Sequence, residues 1–124
     1  MKTRIYYDST DAGGIVYHTE YIKFCEQARS EIFFRHNIFF ENEGYVVKNI
    51  NANYISSAKL GDTIEIKTFV TEIKNASVSV HQEIYKESKK IFEADIKLAY
   101  IKNSKISKIP ENHLKVLNEY KIQG

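Results

Sequence analysis

Apolar and polar positions along this chain change their period twice, and the changes mark out its elements. Residues 2–8 are short and rich in Ile and Tyr, which predicts a strand. Asp8-Ser9-Thr10-Asp11-Ala12-Gly13-Gly14 follows, a cluster of turn formers. Tyr21, Phe24, Cys25, Ala28 and Ile32 then recur at helical spacing and form one apolar stripe. Glu20, Lys23, Gln27, Ser30 and Glu31 take the opposite side. The Thr19 hydroxyl is placed to accept from the first-turn amides, so Thr19 is the expected N-cap, with the helix ending near His36-Asn37.

Beyond the helix the period drops to two, the mark of strands with one buried face. Ile64, Ile66 and Val70 alternate with Glu65 and Lys67. Val78, Val80 and Ile84 alternate with Ser77, Ser79, His81 and Glu83. Phe92, Ala94, Ile96, Leu98 and Tyr100 alternate with Glu93, Asp95 and Lys97. Residues 45–57 read as a less regular strand. Leu60-Gly61-Asp62, Lys74-Asn75-Ala76 and Glu87-Ser88-Lys89 are each short enough for a hairpin. The expected architecture is α+β: an antiparallel sheet of about five strands wrapped around one long helix, the hot-dog arrangement.

Composition adds bounds rather than detail. At 124 residues, 43% hydrophobic and 27% charged, the chain reads as a single globular domain over 1–124. A lone cysteine, Cys25, excludes an internal disulfide and a cysteine-based zinc site, and its place on the apolar stripe predicts a buried thiol. No apolar run suits a signal peptide or a membrane span, so a cytoplasmic protein is expected. A net charge of +2 gives no argument for nucleic acid. Six lysines at 97, 102, 105, 108, 115 and 121 face Glu111 and Glu119 in a C-terminal stretch read as a solvated tail, or as a rim that attracts phosphate.

Candidate chemistry concentrates at Asp11-Ala12-Gly13-Gly14. An acid, two glycines that permit close approach, and a helix start with unpaired amides are the parts of an acyl-transfer site. The amides can hold an oxyanion while the carboxylate activates water or attacks directly.

The run Tyr6-Tyr7-Asp8-Ser9-Thr10-Asp11-Ala12-Gly13-Gly14-Ile15-Val16-Tyr17-His18, continuing through Tyr21, Phe24 and Glu26-Gln27-Ala28-Arg29, resembles the 4-hydroxybenzoyl-CoA thioesterase-like branch of the hot-dog superfamily. Within that branch it is most similar to the acyl-CoA thioesterases associated with the Tol–Pal cluster. Ala52-Asn53-Tyr54-Ile55 and Gly61-Asp62 extend the likeness along the chain. The resemblance implies hydrolysis of acyl-CoA to free acid and coenzyme A, with no metal and no cofactor beyond the substrate's own coenzyme A. Asp11 becomes the general base or nucleophile, and His18 assists with its side chain and backbone amide. Tyr17, Lys74 and Ser77 become substrate contacts, Lys74 toward the coenzyme A phosphates. Where the family carries Glu-Asp before its Thr-Asp pair, this chain has Asp8-Ser9, so no second acid is expected there.

The same resemblance implies a homo-oligomer, a dimer or a dimer of dimers, with acyl carrier protein as a candidate partner. Two alternatives stay open: a hot-dog hydratase or dehydratase, and a non-enzymatic protein binding acyl carrier protein or envelope-biogenesis partners. Elsewhere, Glu26 and Arg29 are spaced for an ion pair, and His36, His81 and His113 lack metal-ligand spacing and read as structural or surface residues.

Overall fold

The computed structural model describes residues 1–122, so the last two positions of the expected 1–124 domain lie outside the described residues. The order is β1 (Lys2–Arg4), a 3₁₀ turn (Tyr7–Ser9), α1 (His18–Phe34), β2 (Glu43–Tyr54), β3 (Thr63–Ile73), β4 (Ser77–Lys86), β5 (Lys89–Lys102), β6 (Lys105–Ile106) and α2 (Glu111–Glu119). The strands form one antiparallel sheet in the order β1-β3-β4-β5-β2, with β6 paired to β5.

The expected helical stripe is the buried face of α1: Tyr21, Phe24, Cys25, Ala28 and Ile32 are all buried, joined by Phe33. They meet the inward residues of the sheet, among them Ile64, Ile66, Val70, Val78, Val80, Ile84, Phe92, Ile96 and Leu98. Each large apolar side chain fully buried there contributes roughly 1.5–3 kcal/mol of hydrophobic stabilisation. Burial also pushes the Cys25 thiol up to about 12, so it stays protonated and inert.

One polar residue breaks the apolar alternation of β4. Gln82 is fully buried, donates to the Cys25 carbonyl at 2.9 Å and to Thr68 Oγ1 at 3.0 Å, and accepts from Arg29 at 2.9 Å. Its donors and acceptor are thereby satisfied, which is what permits an amide in the core. Arg29 is accordingly turned inward to Gln82, and the expected Glu26–Arg29 ion pair does not form.

Several expectations need correction. Tyr17, not Thr19, is the N-cap of α1, and it makes no side-chain cap bond; Thr19 already lies within the first turn. The pairing of Thr10 with Val16 delivers the chain to the helix earlier than a hydroxyl cap at Thr19 would. The expected strand at 2–8 is only three residues long before it gives way to the 3₁₀ turn. Leu60-Gly61-Asp62 does not close a hairpin, because β2 pairs with β5 and the following segment crosses back to β3.

The C-terminal stretch is not wholly a solvated tail. Its α2 buries His113, Val116 and Leu117. The His113 ring is held on both sides, with Tyr45 Oη 2.9 Å from Nδ1 and Glu43 Oε1 3.0 Å from Nε2. That pairing assigns the proton to Nε2, donated to Glu43, while Nδ1 accepts from the Tyr45 hydroxyl. Burial lowers the His113 pKa and favours this neutral form.

Candidate active site

The segment between β1 and α1 is a miniature ladder. The Tyr17 N–H donates to the Ser9 carbonyl at 3.2 Å, Thr10 pairs with Val16, and the Asp11 N–H donates to the Ile15 carbonyl at 2.9 Å. Residues 11–14 form the turn at its tip, closed by the Gly14 N–H donating to the Asp11 carbonyl at 3.0 Å. Gly14 has φ +79°, a conformation that side chains disfavour, so glycine is required for the turn. The outer strand of the ladder is stitched to the crossover segment. Val16 N–H donates to the Ala58 carbonyl, Leu60 N–H donates to the Gly14 carbonyl, and Ile15 pairs with Lys59.

The turn fixes the Asp11 carboxylate. Oδ1 accepts from the Gly13 N–H at 2.8 Å and from the Ile15 N–H at 3.0 Å. Two backbone donors on one oxygen set the side-chain rotamer and leave Oδ2 without a protein partner among the described residues. Asp11 is exposed, as a group that must meet substrate has to be.

The ladder's other end is the start of α1. Glu20 N–H donates back to the Tyr17 carbonyl, and Tyr17 supplies no side-chain cap. The N–H groups of His18 and Thr19 are therefore left for solvent or a ligand, at the positive end of a 17-residue helix. The exposed His18 ring packs edge-on to Tyr54, centroids 5.0 Å apart, and the Tyr54 hydroxyl donates to the His18 carbonyl at 3.1 Å. Tyr54 in turn sits edge-on to Phe92 and Tyr21. Nothing local in the sequence marks Tyr54 for a role, because its contact with the helix start depends on where β2 ends.

Tyr17 is exposed beside the same helix start. Ser9 is buried and engaged with the ladder, so this position is structural here. Asp11 and His18 occupy opposite ends of the ladder and make no direct bond in one chain.

Lys74 and Ser77 are elsewhere. They close the β3–β4 hairpin, Lys74 N–H donating to the Ser77 carbonyl at 2.8 Å. The exposed Lys74 ammonium lies 3.5 Å from Glu72. The Asp11 turn is pinned to the segment just before β3, whereas this hairpin follows its last residue, roughly 35 Å further along an 11-residue strand. A single chain therefore does not bring them together.

A second polar cluster lies on the sheet and joins the neighbouring strands β4 and β5. His81 Nδ1 is 2.9 Å from Asp95, and Nε2 is 3.1 Å from Glu83 and 3.7 Å from Glu93. Burial opposes protonation of His81, but the bonds to Asp95 and Glu83 raise its pKa overall. Lys90 also bridges Glu83 at 2.8 Å and Glu93 at 3.3 Å. Three of these groups, His81, Glu83 and Glu93, have donor atoms within 4.8 Å of one another, the spacing of a metal site. The Lys90 ammonium already supplies the positive charge between the two glutamates. Spacing along the sequence could not reveal this cluster, because half of it comes from β5.

A curled antiparallel sheet around one long helix, with an acid clamped in the turn of the ladder that leads into that helix, defines a hot-dog enzyme. The thioesterase superfamily model matches residues 13–92, and the chain belongs to that family, a family of hydrolases. It is 38% identical over 120 residues to the acyl-CoA thioesterase YbgC of Helicobacter pylori, covering 88% of this chain and 90% of that one. The YbgC protein of Haemophilus influenzae is 33% identical over 115 residues, covering 88% and 85%. A crystal structure from Aquifex aeolicus superposes with a TM-score of 0.87 at 26% identity, covering 94% of this chain and 97% of that one. No described helix is long and apolar enough to cross a membrane.

Proposed function

We propose that the protein hydrolyses acyl-CoA thioesters, and that Asp11 is the catalytic residue. The observation that carries this reading is the clamped carboxylate. Two backbone N–H groups hold Oδ1, so the carboxylate has a fixed direction in the ladder that leads into a helix start with spare donors. The likeness to acyl-CoA thioesterases in two bacteria supports the substrate class.

The thioester carbonyl oxygen accepts from the His18 and Thr19 amides, which stabilise the charge that develops as the carbon becomes tetrahedral. Oδ2 either takes a proton from the attacking water or itself bonds the carbonyl carbon. In both routes the C–S bond breaks and coenzyme A leaves as its thiolate. In the second, water then cleaves the acyl-aspartyl anhydride. The His18 side chain orients water, held by its contact with Tyr54. This chemistry needs only carboxylate, amides and water, so no metal or cofactor is invoked.

The active unit is a homo-oligomer. Strand β2 is a sheet edge of 12 residues with only two charged side chains, Glu43 and Lys48. Val46, Val47, Ile50 and Tyr54 on it are between 36% and 48% exposed. A long apolar edge of this kind invites pairing with a second copy. A neighbouring chain is also the route by which Lys74 and Ser77 could reach a coenzyme A bound near Asp11. Acyl carrier protein, and a cytoplasmic setting, belong to the same reading. The family match favours hydrolysis over dehydration. Turnover of a panel of acyl-CoAs by pure protein, followed by free thiol release, tests the reading. Absence of release across aromatic and aliphatic chains would exclude it.

A further inference from the structure

Under the C-terminal half of α1, between the helix and the sheet, lies a cavity of about 200 Å³. Its walls are apolar and partly aromatic: Phe33, Phe40, Tyr45, Val80, Leu98 and, from α2, Leu117. Its polar lining residues are Arg29, Ser30, Thr68 and the exposed Glu26, and Arg29 and Thr68 are both bonded to Gln82. Arg29 is half-buried and makes one protein hydrogen bond, to Gln82, and no ion pair among the described residues. Glu26, one turn earlier, is near enough to favour the Arg29 charge but does not pair with it.

A guanidinium has five N–H donors, and a partly desolvated one without a carboxylate partner is an incomplete arrangement. Thr68 Oγ1 accepts from Gln82, which leaves its hydroxyl hydrogen free to donate, and Ser30 has a hydroxyl of its own. Arg29 and Thr68 thus flank Gln82, with Ser30 next to Arg29, and these donors line a largely apolar cavity. A cavity of about 150 Å³ holds a benzene ring, so this one has room for a compact apolar body plus a carboxylate. Eleven residues separate His18 from Arg29 on the helix, roughly 16 Å along its axis, so the cavity is distinct from the Asp11 turn.

We infer that this cavity binds a monocarboxylate with a compact apolar body, its carboxylate paired with Arg29 and its body against Phe33, Phe40 and Tyr45. The ligand is of the class that thioester hydrolysis releases. That link to the product rests on the proposed function, whereas the binding itself does not, and it is measured without turnover.

Isothermal titration calorimetry with benzoate and with hexanoate, against benzamide and hexanol as neutral comparators, tests the inference and separates ring from chain. At least one acid should bind saturably, one per chain, and its neutral counterpart roughly tenfold or more weaker, since a charge-assisted bond is lost. Arg29→Gln should lose the acid to the same degree. Because Arg29 also holds Gln82, Leu117→Phe provides a second variant that fills the cavity from α2 and leaves the guanidinium intact; it too should lose binding. Asp11→Asn should bind as the wild type does. No saturable binding at millimolar acid, equal binding of acid and neutral comparator, binding retained in both cavity variants, or binding lost in Asp11→Asn would each overturn the inference.

Discussion

The Tyr54 hydroxyl, on the last residue of β2, donates to the carbonyl of His18, the first residue of α1, at 3.1 Å. The bond ties the sheet's edge to the helix start that is proposed to hold the thioester oxygen. Burial raises the Tyr54 pKa, so the phenol remains a donor through the neutral range. Tyr54→Phe keeps the ring contact with His18 and removes only this bond. The expected result is a several-fold fall in kcat with a stability change of about 1 kcal/mol, measured by steady-state kinetics and thermal melting.

Gly14→Ala separates backbone strain from crowding. The nearest atom to a Cβ at this position would be Leu60 Cβ at 3.9 Å, an ordinary contact, so space is not the obstacle. The φ of +79° is, and alanine there should cost about 1 kcal/mol or more. Because the same turn orients Asp11, kcat should fall as well. A melting temperature and kcat both equal to wild type would show that the turn tolerates another conformation.

The Asp11 turn shows what could and could not be read in the sequence. The acid, its glycines and the following helix were legible because turn formers and a period of 3.6 are local signals. The five residues of the apolar stripe and the inward positions of β3, β4 and β5 were legible for the same reason. The position of β2 was not: its pairing with β5 spans some 50 residues and nothing at Leu60-Gly61-Asp62 betrays it. The helix α2 is hidden because its nine residues hold only His113, Val116 and Leu117 as buried positions, too few to set a period, in a stretch where Lys108, Lys115 and Lys121 read as solvated. The i,i+3 spacing of Glu26 and Arg29 predicts an ion pair because it carries no sign of Gln82, 53 residues from Arg29.

Edge pairing through β2 gives the oligomer prediction. Val47→Asp places a charge on the exposed edge strand and should shift the protein toward the 14.5 kDa monomer in light scattering, with loss of turnover. If the wild type is itself monomeric at micromolar concentration, β2 is not an interface.

The His81 cluster predicts a pH-dependent stability. His81 has its pKa raised in the fold above an unfolded value near 6.5, so its contribution is complete below about pH 6.5 and is lost as pH rises through the folded pKa. Glu83 behaves oppositely. Burial would raise it, but bonds from Lys90, His81 and Tyr85 lower it to about 2, so its contribution holds above about pH 4.5 and is lost as pH falls toward that value. His81→Gln should therefore lower the melting temperature most near pH 5.5 and little near pH 9, by the equivalent of about 1 kcal/mol at most. An equal loss at both values would assign His81 to packing alone.

The central claim is that Asp11 does the chemistry, and single-turnover hydrolysis by Asp11→Asn tests it most directly. Asparagine preserves a side-chain oxygen that can accept from Gly13 and Ile15, so the turn should persist and the melting temperature should change little. It removes the carboxylate's basicity and nucleophilicity. The account predicts a fall in the chemical rate of roughly 10³-fold, with acyl-CoA binding retained. A folded Asp11→Asn enzyme that hydrolyses bound acyl-CoA near the wild-type rate would contradict it and leave Asp11 as a turn residue.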